Sequence, residues 1–477
     1  MDRTDYDIIV IGAGSGGLGI SLFMSKAGLK TLLIDKSDEH IGGDCLNNGC
    51  VPSKALIHVS RILHAAKKAE RFGYVILGKP DIQRAAAYVL AKQNVIRTHE
   101  NAAFLRSQGM DVVLGTACFY SANSVQVNGE LYSARKIVLA TGSRPASLKI
   151  PGIETVVQYN NNSIFQIDHL PERILIVGGG PIGVEIGQAL SRLGSKVTIV
   201  HRGENILPRD EKEITSILLD KLREEGIVFH LQATVKEFTS SREALISKKD
   251  GSSVPISFDA VFVAIGRRLE LEELRLEKAG IRIEDGKIIV NAYLQTTNKR
   301  VFTCGDISGS LMLSHVAEQH ARLLLNNFFS PFKKKLKNTH MSWATFTDPE
   351  VVSFGMQGKE LQKKRIGFKK LEMNFNEDDR AVVDDYQYGK LILFVTRGGF
   401  LKKESILGGS LVAPQAGEIA QELILANMKG LSINDIFNKI YPYPVASRVN
   451  QMIIVQYKDK QLTGTLKKVL RWLFRIM

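Results

Sequence analysis

DIIVIGAGSGGLGISLFMSKAGLKTLLID, residues 7–35, joins an apolar run, a glycine-rich turn, a helical stretch and a second apolar run that ends in an acid. Strand, glycine turn, helix and strand in this order form a dinucleotide-binding unit. Gly12 makes the tight turn, Gly14 lets the backbone approach a pyrophosphate, and Gly17 lets the helix lie close to the strand. The helix N-terminus then offers its unpaired N–H groups to phosphate. Asp35, closing the second strand, is placed to accept hydrogen bonds from an adenosine ribose.

The same pattern returns at residues 173–202, RILIVGGGPIGVEIGQALSRLGSKVTIVHR, with Gly178, Gly180 and Gly183 in the corresponding places. Two units in one chain predict an α/β fold with two nucleotide cofactors. Here the closing acid is absent, and His201 and Arg202 follow Val200. An acid favours NAD through the ribose hydroxyls, whereas an arginine accommodates the extra phosphate of NADP. The reading therefore leans to NADPH over NADH, the alternative being an Arg202 that is merely solvated. Thr141 and Gly142 after the strand KIVLA, and Gly266 with Arg267 and Arg268 after AVFVA, read as return crossings near a nucleotide. In RVFTCGDISG, Asp306 follows a strand and a glycine, where a carboxylate can hold a polyol hydroxyl.

Between these features lies GGDCLNNGCVPSK, residues 42–54, which places Cys45 and Cys50 five positions apart; Cys118 and Cys304 stand alone. In a regular helix such residues have α-carbons roughly 8 Å apart, beyond the roughly 4.4 to 6.8 Å of a disulfide. A bridge requires a distorted turn, which Asn47, Asn48 and Gly49 permit. Pro52 suits the first position of a following helix, whose expected apolar face is Ala55, Leu56, Val59, Ile62, Leu63 and Ala66, with Gly73 just past its end. A thiol at a helix start meets the positive end of the dipole, so Cys50 is expected to have a lowered pKa. The alternative is a pair of ordinary core cysteines.

The 477 residues are too many for one core and predict about three domains. No secretory signal and no bilayer-spanning run is read, so a reducing cytoplasm is expected, where a close cysteine pair is catalytic rather than structural. The net charge of +14 suits anionic partners, but no nucleic-acid motif accompanies it, and no resident metal site is read.

Taken together, the motifs resemble class I pyridine nucleotide-disulfide oxidoreductases, the family of dihydrolipoamide dehydrogenase, glutathione reductase and mercuric reductase, in order over nearly the whole chain. The resemblance implies two Rossmann-like domains, for FAD and NAD(P)H, and a C-terminal α+β dimerisation domain that makes a homodimer. Its boundaries would be 1–155 and 271–338 for FAD, 156–270 for NAD(P), 339–460 for the dimer and 461–477 for a tail. By position, Cys50 matches the cysteine beside the flavin and Cys45 the one that meets substrate. Lys54 matches a lysine near flavin N5, Glu185 its ion-pair partner, Asp306 the ribityl acid, and His315 the segment lying along the flavin. A cation near N5 stabilises charge developing on reduced flavin. Residues 339–356 are expected to be the entry strand of the last domain and 411–430 to form an interface helix.

Two departures stand out. Relatives with glutathione or lipoamide as substrate carry a histidine before a proline and a glutamate beyond it; in YPYPVASRVN these places hold Tyr443 and Arg448. A phenol with a pKa near 10 is a poor base at neutral pH, unless Arg448 lowers it. Mercuric reductases carry a cysteine pair near the C-terminus, and TGTLKKVLRWLFRIM has none. The tail instead forms a basic amphipathic stripe, expected either to touch an anionic membrane weakly or to pack on the dimer. The expected activity is electron transfer from NAD(P)H through FAD to a Cys45–Cys50 disulfide and on to a small-molecule disulfide, metal ion or quinone. The alternatives are a dihydrolipoamide dehydrogenase with a substituted base and a catalytically weak flavin-binding adaptor at a membrane surface.

Overall fold

The computed structural model describes residues 4–398 and 403–477. Its first unit is built on strands Tyr6–Ile11 and Thr31–Asp35, joined by helix Ser15–Lys26. Their unbroken β-branched and leucine runs suit strands covered on both faces, and Ile8, Ile9, Val10, Leu32, Leu33 and Ile34 have no exposed surface. Strands Asp111–Leu114, Thr31–Asp35, Tyr6–Ile11, Glu130–Leu139 and Val301–Thr303 lie side by side, all parallel. The last of these comes from far along the chain, so the unit is completed after the second unit has been inserted.

That second unit repeats the plan. Val228–Leu231, Lys196–His201, Arg173–Val177, Ala260–Val263 and Gln158–Tyr159 form a parallel sheet, with helix Pro181–Leu193 after its glycine turn. The third unit is an antiparallel sheet in the order Ser342–Thr345, Glu350–Gly355, Ile406–Ala413, Lys390–Thr396 and Phe368–Asn374. Residues 339–356 thus hold two strands around a turn rather than one. Residues 411–430 are not one helix either: Leu411–Ala413 end a strand, and helices Ala416–Ile419 and Gln421–Lys429 follow. Pro414 has no N–H to extend the ladder, and Gln415 takes a left-handed conformation with φ of 53°.

One core joins the units. Leu56 and Ile57 from the cysteine helix pack with Val184 and Ile186 of the second unit and with Val351 and Phe394 of the third. That helix runs Cys50–Lys68 and ends in Lys67 and Lys68, matched to the negative end of its dipole. Ile57 takes the buried place expected of Ile62, which is 54% exposed. Helix Val449–Lys460 packs on the third sheet, and helix Gly464–Ile476 follows it.

Candidate active site

The cysteine segment folds as two helices. Gly43–Asn47 carries Cys45; Asn48 and Gly49 leave helical geometry, Gly49 at φ −126° and ψ −113°; and Cys50 begins the long helix. Pro52 is therefore the third helical residue rather than the first. The break brings Cys45 and Cys50 together on the wall of one cleft, each with a free thiol.

Cys50 is the more acidic thiol, its pKa lowered to about 6. The principal cause is the hydrogen bond from the Cys45 thiol. The Ser314 hydroxyl, 3.3 Å from Cys50 Sγ, and the Lys54 ammonium act in the same direction, against burial. Cys45 is pushed up because its proton is held in that bond and because it is partly buried.

Lys54 sits one turn along. Its Nζ donates to Glu185 Oε2 at 2.8 Å and lies 4.5 Å from the centre of the Phe346 ring. Glu185 is buried, and its second oxygen accepts the Phe346 N–H at 2.8 Å. One ion pair thus ties the cysteine helix, the second glycine unit and the third domain together. A carboxylate held at both oxygens, with a cation as partner, meets the conditions for burying charge.

Two contiguous clefts, of about 430 and 410 Å³, run from the thiols to the first glycine turn and share Gly14, Asp44, Asn48, Ala140, Gly142, Arg267 and Asp306. Cys45, Cys50, Lys54, Glu185, Asp306 and His315 line the first. Gly12, Asp35, Thr141 and Gly142 line the second. This arrangement fits FAD. A side chain at Gly12 would strike the Ala140 carbonyl, and one at Gly17 the Gly12 carbonyl, so the turn leaves an open cradle. Asp35 accepts the Ala13 N–H at 2.6 Å and the Lys36 N–H at 2.7 Å, fixing the carboxylate at the ribose end.

Other expected residues lie outside these clefts. Gly178, Gly180, Gly183, His201 and Arg202 belong to the second unit's own turn, whose helix start, Pro181 and Ile182, reaches the first cleft. Gly266 lines neither cleft; its neighbour Arg267 does, because the short strand Arg267–Arg268 pairs back on Arg144–Pro145. Tyr443 is 69% exposed and is absent from the cleft of its own chain. Its hydroxyl donates to Asp379 at 3.2 Å, which raises its pKa and outweighs the opposite pull of Arg448. Arg448 also lies 3.7 Å from Asp379, so the carboxylate stands between its guanidinium and the phenol.

Reading the sequence missed a polar knot. Arg267 meets Asp44 at 2.9 Å and donates to the Ser143 hydroxyl at 2.7 Å and its carbonyl at 2.8 Å; Ser143 in turn donates to Asp306 at 2.5 Å. Asp44 precedes Cys45, so the knot clamps the cysteine helix to the glycine crossings. Ser314 was also missed, although it adjoins His315.

Comparison with known proteins agrees with this geometry. Residues 6–321 match the pyridine nucleotide-disulphide oxidoreductase family model, and residues 341–453 match that family's dimerisation domain. The chain belongs to the pyridine nucleotide-disulphide oxidoreductases. Members use FAD and NAD(P)H, and this chain is an NAD(P)H-dependent flavoprotein oxidoreductase whose last domain supports a homodimer. It is 32% identical to a dihydrolipoyl dehydrogenase of Thermus scotoductus, covering 93% of this chain and 95% of the relative. It is 27% identical to a mercuric reductase of Staphylococcus aureus, covering 92% and 80%. Among solved structures it resembles the Cu(II) complex of the HOCl-induced flavoprotein disulfide reductase RclA from Escherichia coli. That match has a TM-score of 0.82 at 25% identity and covers 95% of this chain and all of the other. Among the described residues no helix is long and apolar enough to cross a membrane.

Proposed function

We propose that this enzyme acts in the cytoplasm, draws on NADPH, and reduces a small acceptor that needs little proton shuttling, such as a metal ion or a quinone. FAD, when bound, supplies the two-electron relay between the nicotinamide and the thiols. The chain's own part is to hold Cys50 as a thiolate on the wall of the cleft, to keep the proton on Cys45, and to fix Lys54 through Glu185. In turnover the thiolate, the thiol and one proton from solvent convert a quinone to its hydroquinone and close the Cys45–Cys50 bond, so two electrons and one proton leave the pair and solvent supplies the second proton. Two cupric ions, or one ion with a two-electron couple, take the electrons alone, and the Cys45 proton goes to solvent.

The observation that carries this reading is the phenol of Tyr443, hydrogen-bonded to Asp379, in the place where lipoamide and glutathione reductases carry a histidine base. Thiol–disulfide exchange with a dithiol substrate needs a group that shuttles protons near neutral pH. Metal ions and quinones do not need it. The copper complex of the similar Escherichia coli reductase supports a metal acceptor. The Thermus scotoductus relative favours a second reading, dihydrolipoamide dehydrogenase with a substituted base.

Assays of the holoenzyme with NADPH against cupric ion, a soluble quinone and lipoamide separate the two. Turnover on one of the first two should exceed that on lipoamide, and Cys45→Ser should lower it by about 100-fold or more. Tyr443→Phe should change it by less than about threefold. Robust lipoamide turnover that Tyr443→Phe abolishes would establish the second reading instead.

A further inference from the structure

Helix Gly464–Ile476 starts one short turn after helix Val449–Lys460, with the Thr463 side chain accepting the Leu466 N–H at its N-terminus. It is about 20 Å long and too short to cross a bilayer. Every residue from 459 to 477 is exposed, including Leu470 at 46%, Trp472 at 61% and Phe474 at 87%. The chain thus extends a helix whose apolar side chains all remain exposed, Leu473 least at 37%.

Its two faces are cleanly divided. At about 100° per residue, Leu466, Val469, Leu470, Leu473 and Ile476 share one side, with Trp472 and Phe474 at its two edges. Lys467, Lys468, Arg471 and Arg475 fill the remaining arc, and no acid occurs between residues 461 and 477. An apolar face bordered by aromatics with a wholly basic opposite face is the pattern of a helix lying in the plane of a lipid interface.

We propose that residues 464–476 dock this protein on an anionic bilayer, with the apolar face sunk to the acyl boundary and the four cations among the headgroups. Charge selects this occupant over a second copy of the chain. A second copy of this helix brings the same four cations and no acid to pair with them, whereas anionic headgroups complement the cationic face. The inference is independent of which acceptor the thiols reduce.

Co-sedimentation of the full holoenzyme with vesicles of equal parts phosphatidylglycerol and phosphatidylcholine tests this proposal. Binding is expected at low salt, to weaken as salt rises, and to be absent on pure phosphatidylcholine. Trp472, one of two tryptophans, should shift its emission to the blue on binding. The combined variant Lys467→Gln, Lys468→Gln, Arg471→Gln and Arg475→Gln keeps the apolar face, and it should bind at least about 100-fold more weakly, at about fivefold per cation. Deleting residues 465–477 should remove binding and the blue shift while flavin content and NADPH oxidation persist. Undiminished vesicle binding by the deleted protein would overturn the proposal. So would a full chain that ignores anionic vesicles, or a deletion that turns a dimer into monomers and assigns the apolar face to a second copy.

Discussion

The two glycine turns of this molecule are built alike and covered differently. In both, a side chain at the first glycine would strike a carbonyl of the neighbouring strand crossing, Ala140 for Gly12 and Ala264 for Gly178. In both, a side chain at the last would strike the carbonyl of the first, so Gly17 and Gly183 are equally obligatory. The residue after the first glycine donates its N–H to the end of the second strand in each case: Ala13 to Asp35 at 2.6 Å, and Gly179 to His201 Nδ1 at 3.1 Å. His201 therefore occupies the place of the acid. The difference lies above the turn. Gly43 of the cysteine segment comes down on Gly14, where even a methyl on Gly43 would lie 2.7 Å from the Gly14 α-carbon, while nothing lies within 4 Å of a methyl on Gly180. A roofed turn suits a resident cofactor, and an open one suits a nucleotide that must enter and leave each cycle.

The sharpest way to break this comparison is a matched pair of variants. Gly17→Ala should give a protein without flavin, and Gly183→Ala one that stays yellow but binds NADPH at least about 100-fold more weakly, since neither backbone can relax without losing its helix contact. Flavin absorbance and nucleotide titration read both, and equal flavin loss would show that the two turns are not separable. Next in size is the tie between the units. Glu185→Gln leaves Lys54 without its ion-pair partner, and Lys54→Met removes the cation itself. Each should slow flavin reduction by NADPH about 100-fold in stopped flow, with Phe346 keeping the fold in place. The smallest expected effect sharpens the contrast at the strand ends. His201→Asp restores the acceptor found in the first unit, and it should move the NADPH to NADH preference about tenfold towards NADH, roughly 1.4 kcal/mol. No movement would leave the preference to Arg202 alone.

Much of this was readable from local pattern. The two glycine units announce themselves because strand, turn and helix are contiguous, and the cysteine pair because Asn48 and Gly49 interrupt a helix between them. Lys54 and Glu185, 131 positions apart, were paired only through family resemblance, since no local rule brings them together. The knot of Asp44, Ser143, Arg267 and Asp306 was not readable, because it assembles where four separate crossings meet. The apolar stretch LVA was read as helix for want of its partner strands, Glu350–Gly355 and Lys390–Thr396, which make it sheet.

The most direct measurement is an anaerobic titration of the holoenzyme with NADPH, recording the visible spectrum at about pH 8 and again at about pH 5, on either side of the Cys50 pKa. That pKa is lowered to about 6, so the thiolate is the stable form above it and is lost as the pH falls through it. A long-wavelength band from thiolate against flavin should appear at two electrons per flavin at the higher pH and fade at the lower. Bleaching of the flavin with no such band at either pH would show that Cys50 does not stand beside the cofactor, and would remove the thiols from the electron path.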